Sequence, residues 1–314
     1  MNYFKTLLLA AALLAPALPA SAQTVVKFAT LAPEGSTWMK AMRQFTKETT
    51  ARTDGRVKFK IYAGGFTGLG IGEVAPEVRL LDTPFLFKNA AEIDHIYKAL
   101  DADFRKFFEN RGYVLLGWAE VGTVNVFSNS PVTKPEDLRD VKMWIWEGDP
   151  IAEATFQALH IKPIPLSITD VMTSLQTGMI NGVYGSPLSV IALQWFARMK
   201  YVFSLPLTNA SGAVLISKKS FDTLSKDDQK VMLELGEKHM RALTLKSRKE
   251  NEESVGILKK KGLIFTDPAS PSVITDLEAA GQAARVSLVG KLYSRELLEK
   301  VEKELKEFRA PKKK

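Results

Sequence analysis

The chain has 314 residues, 43 Lys plus Arg against 35 Asp plus Glu, a formal charge of +8, 46% hydrophobic residues and no cysteine. The cysteine count excludes disulfides, thiolate metal sites and cysteine nucleophiles together, so stability has to come from a packed core, and the length suits two medium domains. The basic excess is concentrated in Lys259-Lys260-Lys261 and Lys312-Lys313-Lys314, solvated runs without a recognition motif, which argues against nucleic acid as a partner.

Residues 1–22 read as a signal peptide. Lys5 is the positive region, Leu7 to Leu14 the apolar run, and Ala20-Ser21-Ala22 the small residues before cleavage after Ala22. The apolar run is too short for a bilayer core of about 30 Å. A buried N-terminal helix is the competing reading. A mature protein with no cysteine at the cleavage site carries no lipid anchor there and is expected to be free and soluble.

Thr24 to Ala29 is a β-branched strand, the loop Thr30 to Gly35 ends it, and Ser36 caps a helix to Arg52 with Trp38, Met39, Met42 and Phe45 at helical spacing. Val57 to Tyr62 alternates as a second strand, and this start predicts an α/β lobe with ligand-facing loops at the carboxyl ends of its strands. The five glycines from Gly64 to Gly72 lack the Lys-Ser/Thr pair of a phosphate loop and the spacing of a dinucleotide fingerprint, so the stretch reads as a surface loop. A turn-rich apolar segment surrounds Pro84, and Ala90 to Arg111 reads as one helix.

Strands at Tyr113 to Trp118 and Thr123 to Ser128 mark a crossing between lobes, and Lys142 to Trp146 opens the second lobe. Asp149-Pro150 is an N-cap and first-turn proline for a helix to Leu159. Ser167 or Thr169 caps another helix to about Thr177, and Val183-Tyr184 is a strand. Residues 201–217 return to the first lobe as strands. From Ser225 no strong breaker occurs until Gly262, and a helix of that length reaches roughly 54 Å, enough to brace both lobes. A coiled coil is the alternative, but no heptad repeat is sustained. Helices at Ser270 to Gly290 and Ser294 to Arg309 finish the chain. The expected division is 23–122 with about 206–250 as the first lobe, and 123–205 with about 251–314 as the second.

Trp144 and Trp146 share one face of their strand, with Glu147 just beyond, either as an aromatic floor for a ligand or as core. Thr30 and Glu34 lie in the first strand-to-helix loop, where polar ligand atoms dock or where helix capping alone operates. Tyr184 and Ser186 follow a strand aimed at the cleft, Trp118 sits near the hinge, and Phe66 lies in the glycine-rich stretch. His95, His160 and His239 are far apart and show no His-Glu-x-x-His pattern, and no Gly-x-Ser-x-Gly elbow occurs. No metal, cofactor or catalytic residue is therefore assigned, although distant carboxylate pairings stay open.

The segments Lys27 to Ser36, Gly64-Gly65, Leu81 to Phe87, Pro135 to Leu138, Pro165-Leu166-Ser167, Leu175 to Gly178, and Gly182 with Pro187 together resemble the solute-binding subunit of tripartite ATP-independent periplasmic (TRAP) transporters, of the dicarboxylate-binding type. The resemblance implies a type II periplasmic binding-protein fold, with two α/β lobes joined by crossing strands and a long bridging helix, which closes on a solute. It also implies delivery to the membrane subunits of the transporter; the signal peptide predicts a periplasmic location, and a monomer without a cofactor is expected. Two departures stand out. Trp144 occupies the position where the family usually carries an arginine that grips the ligand carboxylate as a fork, which one indole N–H cannot replace. The expected solute is therefore a monocarboxylate or another partly apolar organic acid, bound by hydrogen bonds. Between Gly65 and Phe66, by the same resemblance, a helix and the start of a strand are missing, which leaves a sheet edge uncovered. The competing functions are a secreted hydrolase and a ligand-binding partner of a sensor kinase.

Overall fold

The computed structural model describes residues 23–311 except 31, 33 and 64–70; the signal-peptide reading, Phe66 and most of the glycine-rich stretch lie outside them. Strand β1 (Thr24–Thr30) is followed by helix α1 (Thr37–Arg52) and strand β2 (Val57–Ala63), which pairs with β1 in parallel. Ser36 caps α1 by accepting from the Met39 N–H at 3.2 Å, and Met39, Met42 and Phe45 are its buried face. A 3-10 helix (Pro76–Asp82) leads into α2 (Ala90–Ala99) and α3 (Asp101–Glu109), where one helix was expected. Leu100 leaves the helical region at φ −111° and ψ 16°, and Asp101 and Asp103 then occupy a fresh first turn, where the helix dipole favours acid. The apolar spacing runs through the break, so periodicity alone did not reveal it.

Strands β3 (Tyr113–Trp118) and β4 (Gly122–Ser128) are joined by Ala119-Glu120-Val121. The second lobe adds β5 (Trp144–Trp146), α4 (Pro150–Ala158), β6 (Ile164–Leu166), α5 (Val171–Thr177), β7 (Gly182–Gly185), α6 (Pro187–Ala192) and β8 (Tyr201–Phe203). After them come β9 (Thr208–Ala210), β10 (Ala213–Ser217), α7 (Lys226–Lys260), β11 (Ile264–Thr266), α8 (Pro271–Ser287) and α9 (Arg295–Arg309). The start of β4 pairs with β9, whereas its end pairs with β7 and β8, and β11 extends that sheet through β8. One strand thus passes from the hinge into the second lobe. β10 turns back to pair with β3.

Helix α7 has 35 residues and is capped by Ser225, whose hydroxyl accepts from the Asp228 N–H at 3.1 Å. Its first half lies close to the sheet: a Cβ on Gly236 would stand 2.5 Å from the Leu116 carbonyl oxygen, so a side chain there would force the two apart. Further along, Asn251 donates to the Val121 carbonyl at 2.9 Å and accepts from the Leu188 N–H of α6 at 3.1 Å, and Leu258 is buried in the second-lobe core with Phe127 and Val202. The helix therefore ties the hinge to both lobes.

The last helix departs from the expected division. Leu298, Val301 and Leu305 of α9 are buried with Ile96 and Phe104 of α2 and α3, and Arg309 pairs with Glu92 of α2 at 2.6 Å. The same cluster holds Ile151 and Ala154 of α4 and Ala284 of α8, and an amphipathic stripe identifies a buried face but not the surface it will meet. Among the described residues β1 pairs only with β2, and a cavity of about 220 Å³ separates Val26, Lys27 and Phe28 of β1 from Leu215, Ile216 and Ser217 of β10.

Candidate functional site

A cavity of about 130 Å³ lies where the 3-10 helix, the start of α4, β4, β7 and β9 converge. Arg79 of the 3-10 helix donates from Nε to Asp82, three residues on, at 3.0 Å, and from Nη2 to Asp149 at 3.0 Å. Asp149 is there because it caps α4, accepting from the Ile151 N–H at 3.1 Å ahead of Pro150 at the first turn. The Arg79–Asp149 pair therefore joins the segment after β2 to the second-lobe helix.

Burial alone would lower the Arg79 pKa, but the charges of Asp82 and Asp149 outweigh it and hold the guanidinium above its ordinary value. Burial pushes the Asp82 carboxyl up, against the opposing pull of Arg79 and the Ser211 N–H, which donates to it at 2.8 Å. The Tyr184 hydroxyl accepts from the Trp146 N–H at 3.3 Å and lies 3.5 Å from Asp149, and burial raises its pKa. Asn209, on β9, is 3% exposed and lines the cavity, yet neither its Oδ1 nor its Nδ2 has a partner among the described residues. Leaving a buried amide unpaired costs about 1–3 kcal/mol per group, which a solute offering a donor and an acceptor would recover. Pro84, Val124, Ile151, Phe156 and Leu207 form the apolar wall. The cavity suits a small solute with one polar end; a cavity near 150 Å³ is known to hold a benzene-sized guest.

Of the residues singled out in the sequence, Tyr184 lines this cavity. Trp144 does not line it. Its ring is 2% exposed and stacks on Tyr184 with centroids 5.1 Å apart, and its N–H is spent on the Leu166 carbonyl at 3.0 Å. The indole therefore backs the wall instead of forming it. Trp146 packs partly buried against the same cluster, and Glu147 is exposed beyond it. Thr30 accepts from the Ala32 N–H at 3.2 Å, and Glu34 is held by Arg43 at 2.7 Å on the surface, which lowers its pKa. Ser186 is 2% exposed and caps α6 through the Ser189 N–H. Trp118 stacks on Tyr97 at 4.6 Å, packs edge-on to Phe104, and has a buried Nε1 without a partner among the described residues. None of these six reaches the cavity.

Arg79, Asp82, Asp149 and Asn209 line the cavity and are not among the residues singled out in the sequence. The Asp149-Pro150 cap was legible, but capping gives no reason to assign a ligand. Arg79 and Asp82 at a spacing of three was the available signal for a paired charge, and Asn209 stood out only as an amide inside an apolar return strand. Among the described residues no group of three or more His, Asp or Glu is placed to hold a metal ion, and no helix is long and apolar enough to cross a membrane.

Residues 65–285 match the family described as bacterial extracellular solute-binding protein, family 7. A solute-binding protein of Sulfitobacter sp. is 29% identical over 248 residues, covering 69% of this chain and 73% of its own. The 2,3-diketo-L-gulonate-binding periplasmic protein YiaO of Escherichia coli is 30% identical over 177 residues, covering 54% and 51%. The crystal structure of an extracytoplasmic solute receptor of Bordetella pertussis binding pyroglutamic acid superposes with a TM-score of 0.80 at 17% identity, over 90% of this chain and 99% of that one. The two-lobed fold with its bridging helix is thus the periplasmic binding fold, and the chain belongs to family 7 of the bacterial extracellular solute-binding proteins.

Proposed function

We propose that the protein captures a small organic acid in the Arg79–Asn209 cavity and hands it to the membrane subunits of a TRAP transporter without transforming it. The observation that carries the reading is Asn209, a buried amide with both polar atoms unpaired among the described residues, on the wall of a cavity that also holds a guanidinium. In a hydroxy acid the carboxylate supplies the acceptor and the hydroxyl the donor that Asn209 lacks, while Phe156, Leu207 and Val124 take its apolar part. Relatives whose names record 2,3-diketo-L-gulonate or pyroglutamic acid support that class of solute.

On this reading residues 1–22 are removed on export and the receptor works in the periplasm as a monomer. The two halves are 23–122 with about 206–250, and 123–205 with about 251–287, and α9 is counted with the first half by its packing on α2. Closure swings the halves about Ala119-Glu120-Val121 and the β9 return. Native mass spectrometry of the purified mature chain tests the proposal. A small acid released from the wild type, and lost from Asn209→Leu at unchanged melting temperature, supports it; an acid retained equally by both would place the site elsewhere.

A further inference from the structure

The charges around the cavity do not resemble an empty anion hole. One guanidinium, Arg79, faces two carboxylates, Asp82 and Asp149, both at 3.0 Å. Asp82 is committed on both oxygens, to Arg79 on one and to the Ser211 N–H on the other. Asp149 uses Oδ1 for Arg79 and for the Ile151 N–H, which leaves Oδ2 with the Tyr184 hydroxyl at 3.5 Å, beyond a strong hydrogen bond. Whether Asp82 is ionised or protonated, the three groups give the cavity no net positive charge. The rings of Tyr184 and Phe156, both on the wall of the cavity that Asp149 also lines, stand 6.2 Å apart and tilted 49°.

We infer that the solute is an acid that also carries a positively charged nitrogen, with the nitrogen seated between Asp149 and the faces of Tyr184 and Phe156 and the acid group toward Asn209 and Arg79. A plain anion would enter a site whose single cation is already neutralised, whereas a zwitterion brings its own balancing charge. An aromatic pair beside a carboxylate suits a cation in particular, because ring faces attract positive charge and shed water readily. The inference rests on the proposed solute cavity and narrows the class of acid that it takes.

The test is calorimetric titration of the whole mature chain with matched pairs of small acids: proline against cyclopentanecarboxylate, trimethylammonioacetate against 3,3-dimethylbutanoate, and 4-aminobutanoate against pentanoate. At least one zwitterion should bind tenfold or more tighter than its nitrogen-free partner. That ratio should shrink at least fivefold in Asp149→Asn, a change that keeps the helix cap because Asn caps as well as Asp. Nitrogen-free acids that bind as tightly as their partners, an unchanged ratio in Asp149→Asn, or no binding by any zwitterion would each overturn the inference. The cavity reading fails separately: an acid carried by the purified protein would then be indifferent to Asn209→Leu.

Discussion

Glu120 and Arg248 form a paired contact at the hinge, with Arg248 Nη2 2.6 Å and Nε 2.8 Å from the two carboxylate oxygens of Glu120. Glu120 is 1% exposed in the link between β3 and β4, and Arg248 lies midway along α7. The same guanidinium reaches Asp94 of α2 at 2.8 and 3.1 Å. The link between β3 and β4 is thereby fixed to the long helix at its middle residue.

Arg248→Met should be costly because it leaves the Glu120 carboxylate buried without a partner, a loss of about 3–5 kcal/mol in chemical denaturation. Adding Glu120→Gln should restore part of that stability, because the amide brings no charge to bury. A double variant no more stable than Arg248→Met would show that the pair itself matters little.

Acid should weaken this network in a defined window. Burial would raise the Asp94 carboxyl, but hydrogen bonds from Arg241 and Arg248 outweigh it and hold it at about 2, against 3.8 for a free side chain. The folded pKa lies below the unfolded one, so the stability Asp94 contributes is whole above pH 4 and is lost as the pH falls toward 2, about 1 kcal/mol after discounting for solvent screening. Urea midpoints at pH 5 and pH 2.5 should therefore fall further for the wild type than for Asp94→Asn.

Trp144→Phe removes the donor to the Leu166 carbonyl and should lower stability by about 1–3 kcal/mol, with solute affinity changed less than threefold. Asn209→Leu, at the cavity wall and with no hydrogen bond to lose among the described residues, should show the reverse pattern. Melting curves and titrations of the two variants separate the residue that backs the wall from the residue that forms it.

A Cβ on Gly72 would stand 2.7 Å from Cδ of Arg79. Gly72→Ala should therefore displace the guanidinium at a cost of about 0.5–1.5 kcal/mol, weakening solute binding by about twofold to tenfold while the melting temperature stays within a few degrees.

Much of the scaffold was legible because local rules and packing agree there. Ser36, Ser225 and Asp149 cap the helices they were expected to cap, and β3 and α7 fall within a residue of their expected bounds. Of the residues singled out in the sequence, one, Tyr184, lines the proposed cavity. A tryptophan at a family ligand position reads equally well as floor or as core, and its fate was decided by Leu166, a strand neighbour that no local pattern connects to it. Arg79, Asp149 and Asn209 come from segments far apart in sequence and meet only through the crossing of β4 and β9. The packing of α9 on α2 is of the same kind, a choice between two apolar surfaces that periodicity does not make.

The account turns on whether the cavity between Arg79 and Asn209 holds the solute. A crystal structure of the mature chain, grown with the acid that native mass spectrometry releases from it, tests this most directly. The account predicts that acid within hydrogen-bond distance of the Asn209 amide and against Phe156. Density for the acid elsewhere, with Asn209 still unpaired, would contradict it.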